Sequence, residues 1–539
     1  MSIADCHPLT LAPGLHRLFA DFCAGDASVR PFYGFTPFDS GWQVRPSIPA
    51  HWAELVELLA EQNPSAAGSA AAGKLDMLRA GAGIVVTGQQ VGLFGGPLFT
   101  PFKAATALAR ARKATASSRP HVGLFWLATE DHDFPEINHV TFPSRRELEK
   151  LVYEKTPDAP VPVGGVALDE TIAPLMERAW ELLGYSDAME ALEAAYKPGR
   201  TFAQAFAEFY GKVFAAQGLL ILDAEGRAVH RMGAPVLRAA IERADELHAA
   251  LLERNAALEA ARYHVQVAVT PQSSLLFLID AKSGARLALK RLARSAAEPD
   301  GLWQAGREKY STADLLGVLD AEPERISPAA LLRPVFQDYL LSSSLTIGGP
   351  AEIAYFAQSA VLYEKILGRM TPAEPRFSAT LIEPAIGVLL EKHELTLDRV
   401  FAENTDSLAQ LLAARAMPIE GKRKLAGAGI ALDAELAPLL EWMHTLDSGL
   451  GRSAETAASK MRYQMNRLRR LAANFQMQKE ESLKRHAQSI CRSLYPGGVL
   501  QERVHGAAYY FARYGFELAE RLTVQAMESQ CNGHASIWL

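Results

Sequence analysis

Gly83-Ile-Val-Val-Thr-Gly-Gln-Gln-Val-Gly-Leu-Phe-Gly-Gly-Pro-Leu-Phe-Thr-Pro-Phe-Lys103 is the stretch on which the fold turns. A short apolar run opens it and a glycine-dense turn follows. An alanine-rich segment, Ala104 to Ala111, then reads as helix. Strand, glycine turn and helix in that order make an anion or nucleotide cradle. Amides at the helix start point at the ligand, and glycines let the main chain come close. The spacing is not Gly-x-Gly-x-x-Gly followed by an acidic residue. It is not a Walker A loop either, because Lys103 is neither preceded by glycine nor followed by Ser or Thr. The stretch predicts an α/β ligand site without naming the ligand.

Working outward, Gly83–Thr87 and Val122–Ala128 read as strands that bracket this helix, a βαβ unit with parallel strands. Gly218 to Asp223 is a third strand candidate. Leu345 to Pro350 is a fourth, running into a glycine turn and a helix from Glu352 to Leu367, and it belongs in the same sheet. A helix is expected around Trp52–Leu59. Ser144 to Phe214 reads as mostly helical, and Met232–Asn255 reads as one helix. Val265–Val269 and Leu275–Ile279 alternate around Pro271, and Ser283-Gly284 follows, which reads as hairpin material.

Beyond about residue 385 the pattern changes. Leu436, Leu440, Met443, Leu450, Ala454 and Ala457 share a stripe that Met461, Met465, Leu468, Ala472 and Phe475 continue in alternating four- and three-residue steps. That is a coiled-coil signature, with a bend or break expected at Gly449 and Gly451. Pro496-Gly-Gly498 ends it, and Gln501–Ala526 starts another helix. Arg462, Arg467, Arg469, Arg470, Lys484 and Arg485 lie on the polar face and read as a solvated surface rather than an RNA-binding one.

The chain has 539 residues, 49% hydrophobic and 22% charged, which predicts two or three globular domains. A formal charge of −6 gives no footprint for nucleic acid. Cys6, Cys23, Cys491 and Cys531 lack Cys-x-x-Cys spacing, compose neither a disulfide framework nor a zinc site, and suit a reducing cytosol. Neither a signal peptide nor an apolar run of membrane-spanning length is seen, so a soluble cytoplasmic protein is expected.

Three constellations carry chemistry. In the opening turn, Gly88, Gly92, Gly95 and Gly96 would wrap phosphate or carboxylate oxygens. Gln89 and Gln90 would fix polar ligand edges, and Lys103 would neutralise a phosphate. The plainer alternative is a tight turn in which the glycines serve only backbone dihedrals. The second constellation is Glu130-Asp-His-Asp-Phe-Pro-Glu-Ile-Asn-His139, just past the carboxyl end of a strand. Its crowded carboxylates are tolerable beside a metal, a substrate amine or an imidazolium. His132 would be a general base with a raised pKa, oriented by Asp131 or Asp133. It would equally serve with His139 as a metal ligand, and the plain alternative is a solvated acidic loop. The third is Gly348-Gly-Pro-Ala-Glu-Ile-Ala-Tyr355, a second helix-start anion site including Gly348 and Gly349, with Glu352 and Tyr355 on one face. Glu352 also has a local reading, as a partner of the helix dipole. His505 and His534 are given no role.

Taken together, these segments resemble the bacillithiol biosynthesis cysteine-adding enzyme family, BshC. Arg333-Pro-Val-Phe-Gln-Asp-Tyr, Pro375-Arg-Phe-Ser-Ala-Thr380 and Leu500-Gln-Glu-Arg503 add to the match, which runs in order along nearly the whole chain. The resemblance implies an α/β Rossmann-like parallel-sheet core with inserted segments, plus a C-terminal α-helical coiled coil that forms a homodimer. The corresponding domains are 1–384, with inserts at about 144–214 and 225–330, and 385–539, whose last helix returns to the core. It also implies an amide-forming ligase that adds L-cysteine to glucosaminyl malate. A carboxylate is a poor electrophile, so ATP would activate the cysteine carboxyl as an adenylate or acyl phosphate. His132 would be the acid/base with Asp131 and Asp133. Glu130, His139, Glu352 and Tyr355 would contact substrate. The His-x-Gly-His and Lys-Met-Ser-Lys-Ser signatures of other carboxylate-activating Rossmann enzymes are absent, which leaves the activation chemistry and any metal requirement open. The rival readings are a non-catalytic nucleotide-binding scaffold and a metal-dependent hydrolase.

Overall fold

The computed structural model describes residues 2–8, 15–44, 46–64, 66–292, 301–479, 481–529 and 533–539. They form two compact units, Met1–Thr380 with Glu502–Ile537, and Leu381–Gln501 with Trp538–Leu539.

In the larger unit, β1 (Gly83–Gln89) leads through the glycine turn into helix α1 (Phe99–Ala116) and then β2 (His121–Leu127). An antiparallel hairpin follows, β3 (His139–Pro143) and β4 (Leu148–Val152). The chain continues to β5 (Leu220–Asp223), α2 (Arg333–Leu341), β6 (Leu345–Gly348), α3 (Pro350–Leu367) and β7 (Ala373–Pro375). The five core strands are all parallel, in the order β7-β6-β1-β2-β5. All four strands expected from the sequence lie in this one sheet.

Ile84, Val85, Val86, Val122, Leu124, Phe125, Leu220 and Leu222 have no solvent exposure. That is why these strands read as unbroken apolar runs: a parallel sheet is covered on both faces. Helix α1 lies against β1 and β2, and its small alanines Ala104, Ala105, Ala107 and Ala109 are fully buried there. From β1 the chain winds outward through β2 and β5, then returns to the other side of β1 at β6. The order therefore reverses between β1 and β6, and open α/β sheets bind ligands at the carboxyl ends of the strands at such a switch point.

The insert carries a five-stranded antiparallel sheet, and several expectations change there. Val265–Val269 is not a strand. Ser273–Ile279 pairs instead with Arg286–Arg291, with Phe277 opposite Ala288. The turn between them forms at Asp280–Gly284, where the Gly284 amide donates to Asp280 O at 2.9 Å. The single helix expected over Met232–Asn255 is two, Arg227–Glu242 and Ala244–Ala260, broken at Arg243. The segment after Ser144 begins with strand β4 before it turns helical. Gln501–Ala526 divides into three helices around Gly506 and Gly515, the latter at φ +69°.

In the smaller unit, α4 (Ile419–Leu446) and α5 (Ser448–Lys479) form an antiparallel hairpin. Arg462 pairs with Asp433, and His444 with Glu455, at 2.7 and 3.0 Å. The reversal comes at Asp447, whose carboxylate accepts from the Gly449 and Leu450 amides, rather than at the glycines. Gly451 instead lets the His444 ring approach, since a Cβ there would lie 2.1 Å from Nδ1. Among the described residues no helix is long and apolar enough to cross a membrane. Cys23 and Cys491 are buried free thiols. Cys6 is disulfide-bonded, unlike the unpaired set expected from spacing, and Cys531 lies outside the described residues.

Candidate functional site

A cavity of about 780 Å³ opens at the switch point. That is within the ~300–1,000 Å³ of typical small-molecule sites. The opening glycine turn, the segment after β2 and the start of α3 all contribute to it. Among the expected site residues, Gly88, Gln89, Gln90, Gly92 and Lys103 line it from the first turn. Asp131 and His139 line it from the second segment, and Gly349, Glu352 and Tyr355 from the third. Gly95, Gly96, Gly348, Glu130, His132 and Asp133 do not line it.

The opening turn is a packed frame rather than an open amide cradle. The Gly92 amide donates to Gln90 O, the Gly95 amide to Tyr196 Oη and the Gly96 amide to Leu93 O, at 3.0–3.1 Å. Tyr196 and Tyr210 donate in turn to Gly92 O and Gly95 O. Gly95 sits at φ +83°, and a Cβ there would meet the Phe209 ring at 2.7 Å. Glycine is required for conformation and packing at this position. The second turn is also closed on itself. The Gly349 amide donates to Glu352 Oε2 at 2.7 Å, so a carboxylate of the chain already holds the N-terminus of α3.

Lys103 is a strut. Its ammonium meets Glu352 Oε2 at 2.5 Å, Gly88 O at 2.7 Å and Gln89 Oε1 at 2.9 Å. An ammonium has three donors, and here all three are used. The side chain is 4% exposed. Burial holds its pKa below the usual lysine value, with Arg376 and Arg503 adding to the effect and Glu352 opposing it. The phosphate-neutralising role expected for Lys103 has no free donor to perform it.

The acid-histidine segment divides. Glu130 is buried and pairs with His230 Nε2 at 2.9 Å, beneath the cavity rather than in it. Burial opposes protonation of His230, but Glu130 outweighs it and the imidazole pKa is raised. Asp131 accepts from the His132 amide at 2.8 Å and from Gln90 Nε2 at 2.9 Å. Burial opposes its ionisation, yet Arg333, the His132 amide and Gln90 together hold its pKa below the usual carboxylate value.

His132 has a partner that its own segment does not reveal. Arg286 Nη1 donates to His132 Nδ1 at 3.0 Å, while Asp131 Oδ1 stands 3.7 Å from that nitrogen. Arg286 is fixed by Ser327 Oγ and Pro328 O and lies over the Phe277 ring. Burial and then Arg286 lower the His132 pKa, the reverse of the raised value expected from its carboxylate neighbours. Asp133 is exposed.

His139, at the start of β3, lines the cavity, and its Nδ1 donates to Pro135 O at 3.0 Å. That bond fixes the tautomer and leaves the Nε2 lone pair free. Burial, then Lys150 across the hairpin, lowers its pKa, so the ring is neutral at pH 7.

Three arginines line the same cavity, and no local motif had singled them out as site residues. Arg376 is held bidentately by Glu502, at 2.5 and 3.0 Å. Arg503 makes no hydrogen bond or ion pair among the described residues. Arg333, at the first turn of α2, has a buried Nε with no acceptor. The family-like segments Arg333-Pro-Val-Phe, Pro375-Arg-Phe and Gln-Glu-Arg503 were the only signals that could have found them. Among the described residues, no three His, Cys, Asp or Glu side chains converge as a metal-ligating group. The metal-dependent hydrolase reading therefore has no preformed donor set.

A doubly wound parallel sheet with a charged cavity at its switch point defines an α/β protein of the Rossmann-like class. The family description "Bacillithiol biosynthesis BshC, N-terminal Rossmann-like domain" matches residues 5–377, and "Bacillithiol biosynthesis BshC, C-terminal coiled-coil domain" matches residues 379–535. The chain belongs to the BshC family. It is 40% identical to "Putative cysteine ligase BshC" of Koribacter versatilis, over 96% of this chain and 97% of that one. Proteins of the same name from Solibacter usitatus and Salinibacter ruber are 33% and 31% identical. The former match covers 97% of both chains, the latter 96% of this chain and 95% of its relative.

Proposed function

We propose that this protein is a cysteine ligase of bacillithiol biosynthesis, joining L-cysteine to glucosaminyl malate through an amide. The observation that carries the reading is the charge pattern of the cavity. Asp131 and a neutral His139 share it with Arg333 and Arg503, two guanidiniums without a hydrogen-bonded acceptor. The substrates are an amino acid, an amino-sugar dicarboxylate and, for activation, a nucleotide triphosphate. All carry carboxylate or phosphate oxygens, and two carry amines.

ATP would convert the cysteine carboxylate to an acyl adenylate with loss of diphosphate, or to an acyl phosphate with loss of ADP. Attack by the sugar amine would then release AMP or phosphate. That amine must attack as the free base, and the Nε2 lone pair of His139, a residue of the cavity lining, would take its proton. His139 replaces His132 in this role, because His132 lies off the cavity with its Nδ1 occupied. Arg503 would face phosphate or malate oxygens, since the glycine amides, Lys103 and Arg376 are already satisfied. We place this chemistry in the cytoplasm, where ATP and free cysteine are held. Trp442, Leu446, Met461, Leu468, Leu471 and Phe475 are more than half exposed on the α4–α5 hairpin, which supports pairing of two chains through it.

The test is incubation of the purified protein with L-cysteine, glucosaminyl malate and ATP, with mass spectrometry of the thiol product. AMP and ADP formation distinguish the two activation routes. The scaffold reading has one observation in its favour, the self-capped glycine turns. Nucleotide binding without any thiol product would favour it over the ligase.

A further inference from the structure

Arg333 and Asp131 stand on the cavity wall with Nη2 and Oδ2 3.9 Å apart, too far for a hydrogen bond. Asp131 is fixed by Gln90 and the His132 amide. Two of its roughly four lone-pair sites are used, which leaves acceptor capacity. Arg333 comes to the cavity from the first turn of α2, ahead of Pro334. Its guanidinium makes no hydrogen bond among the described residues, and its Nε is buried without an acceptor. Leaving such a donor unpaired costs the desolvation it underwent on burial. Arg333 lines the cavity with no acceptor on its guanidinium, which marks the place of an absent one.

A lone phosphate would satisfy the donors but would stand against the ionised Asp131. A lone amine would satisfy Asp131 and leave the donors orphaned. An α-amino acid answers both, since its ammonium and carboxylate sit on one carbon, a few ångströms apart. We infer that Arg333 and Asp131 form a zwitterion clamp for a free α-amino acid. The α-carboxylate lies on Arg333 and the α-ammonium on Asp131. That the amino acid is L-cysteine rests on the ligase reading. The clamp itself does not.

The test is isothermal titration calorimetry on the full-length protein, with and without a non-hydrolysable ATP analogue. The ligands are L-cysteine, cysteamine, which lacks the carboxylate, and 3-mercaptopropionate, which lacks the amine. L-Cysteine is expected to bind at least tenfold more tightly than either. Arg333→Gln should bring L-cysteine down to the affinity of cysteamine and leave cysteamine itself unchanged. Asp131→Asn should do the same relative to 3-mercaptopropionate.

Equal binding of the three ligands, or no L-cysteine binding in either condition, overturns the clamp. So does an Arg333→Gln variant that loses affinity for the ATP analogue and keeps it for L-cysteine, because the anion held is then a phosphate. If a variant fails to fold, the analogue series on the unmodified protein decides alone. Discrimination among the analogues without any amide product would leave the clamp standing and sink the ligase. Amide formation without that discrimination would do the opposite.

Discussion

Removing the negative charge of Glu352 should destabilise the larger unit without touching the capping of α3. Glu352→Gln keeps a carbonyl oxygen to accept from the Gly349 amide, now 2.7 Å from Oε2, so the cap survives. What disappears is the counter-charge of Lys103, whose side chain is 4% exposed and whose other contacts, Gly88 O and Gln89 Oε1, are neutral. Breaking a buried ion pair by removing one partner costs about 3–5 kcal/mol. Glu352 is itself 25% exposed and already draws on solvent, so we discount this to about 2–4 kcal/mol. Lys103→Met should cost less, because it strands a carboxylate that faces the cavity and still holds an amide. The double variant leaves no unpaired charge and should be more stable than the sum of the singles predicts, by about 1–3 kcal/mol. Urea unfolding at pH 7, followed by tryptophan fluorescence, gives the four midpoints of this cycle. A coupling energy below about 0.5 kcal/mol would refute the strut. So would a Lys103→Met variant of unchanged stability that has lost nucleotide affinity, since Lys103 would then be the phosphate ligand that its position after the glycine turn first implied.

Three further expectations follow from the geometry. His139→Ala should lower kcat for amide formation by about 10²–10⁴-fold with a smaller change in KM. His132→Ala should have a weaker effect, and the acid limb of the wild-type kcat/KM profile should lie below pH 6.5, because the His139 pKa is lowered in the free protein. Equal losses in the two variants would count against the assignment. Glu225, beside Asp223 and Glu130, is pushed up from 4.5 to about 8 by burial and by those two carboxylates. Between those pH values the unfolded chain has released a proton that the folded one keeps, so stability falls as pH rises through that window. The upper bound is about 5 kcal/mol at 1.36 kcal/mol per unit. Glu225→Gln should flatten this slope and raise the urea midpoint at pH 8, and an unchanged slope would refute the shift. Finally, Leu468→Glu with Leu471→Glu on the exposed face of α5 should convert a dimer to a monomer in sedimentation, with helix content preserved.

The features legible in the sequence are those set by neighbours along the chain. Ile84–Val86, Val122–Leu127 and Leu219–Leu222 read as strands because a doubly covered parallel strand is apolar at every position. The heptad-like spacing from Leu436 to Phe475 likewise announced long helices. Its reversal point was missed because Asp447 makes the turn with a side chain, using hydrogen bonds to the next two or three residues. The β3–β4 hairpin was illegible for a different reason. Its inward positions Val140, Phe142 and Leu151 alternate with Thr141, Lys150 and Glu149, too short a pattern beside the helices that follow. That omission mattered for function, because β3 places His139 on the cavity.

Charge pairing at the site could not be read locally at all. Lys103 was assigned to a phosphate because the residues around it offer no carboxylate, but its carboxylate arrives on α3, about 250 residues later. His132 was assigned a raised pKa because three acids flank it, but burial, and then Arg286 reaching its ring from a strand of the antiparallel sheet, reverse the sign. In both cases the nearest charges in sequence are not the nearest charges in space, and a buried group answers to the latter. The same reasoning separates the cations that build the cavity from those that would serve it. Glu352 satisfies Lys103 and Glu502 satisfies Arg376, so those two are part of the wall. Arg333 and Arg503 come to the cavity from distant segments with no carboxylate in hydrogen-bonding reach. A ligand that brings acceptors gains most at those two positions, so substrate selection should answer to them rather than to the glycine turns that define the fold.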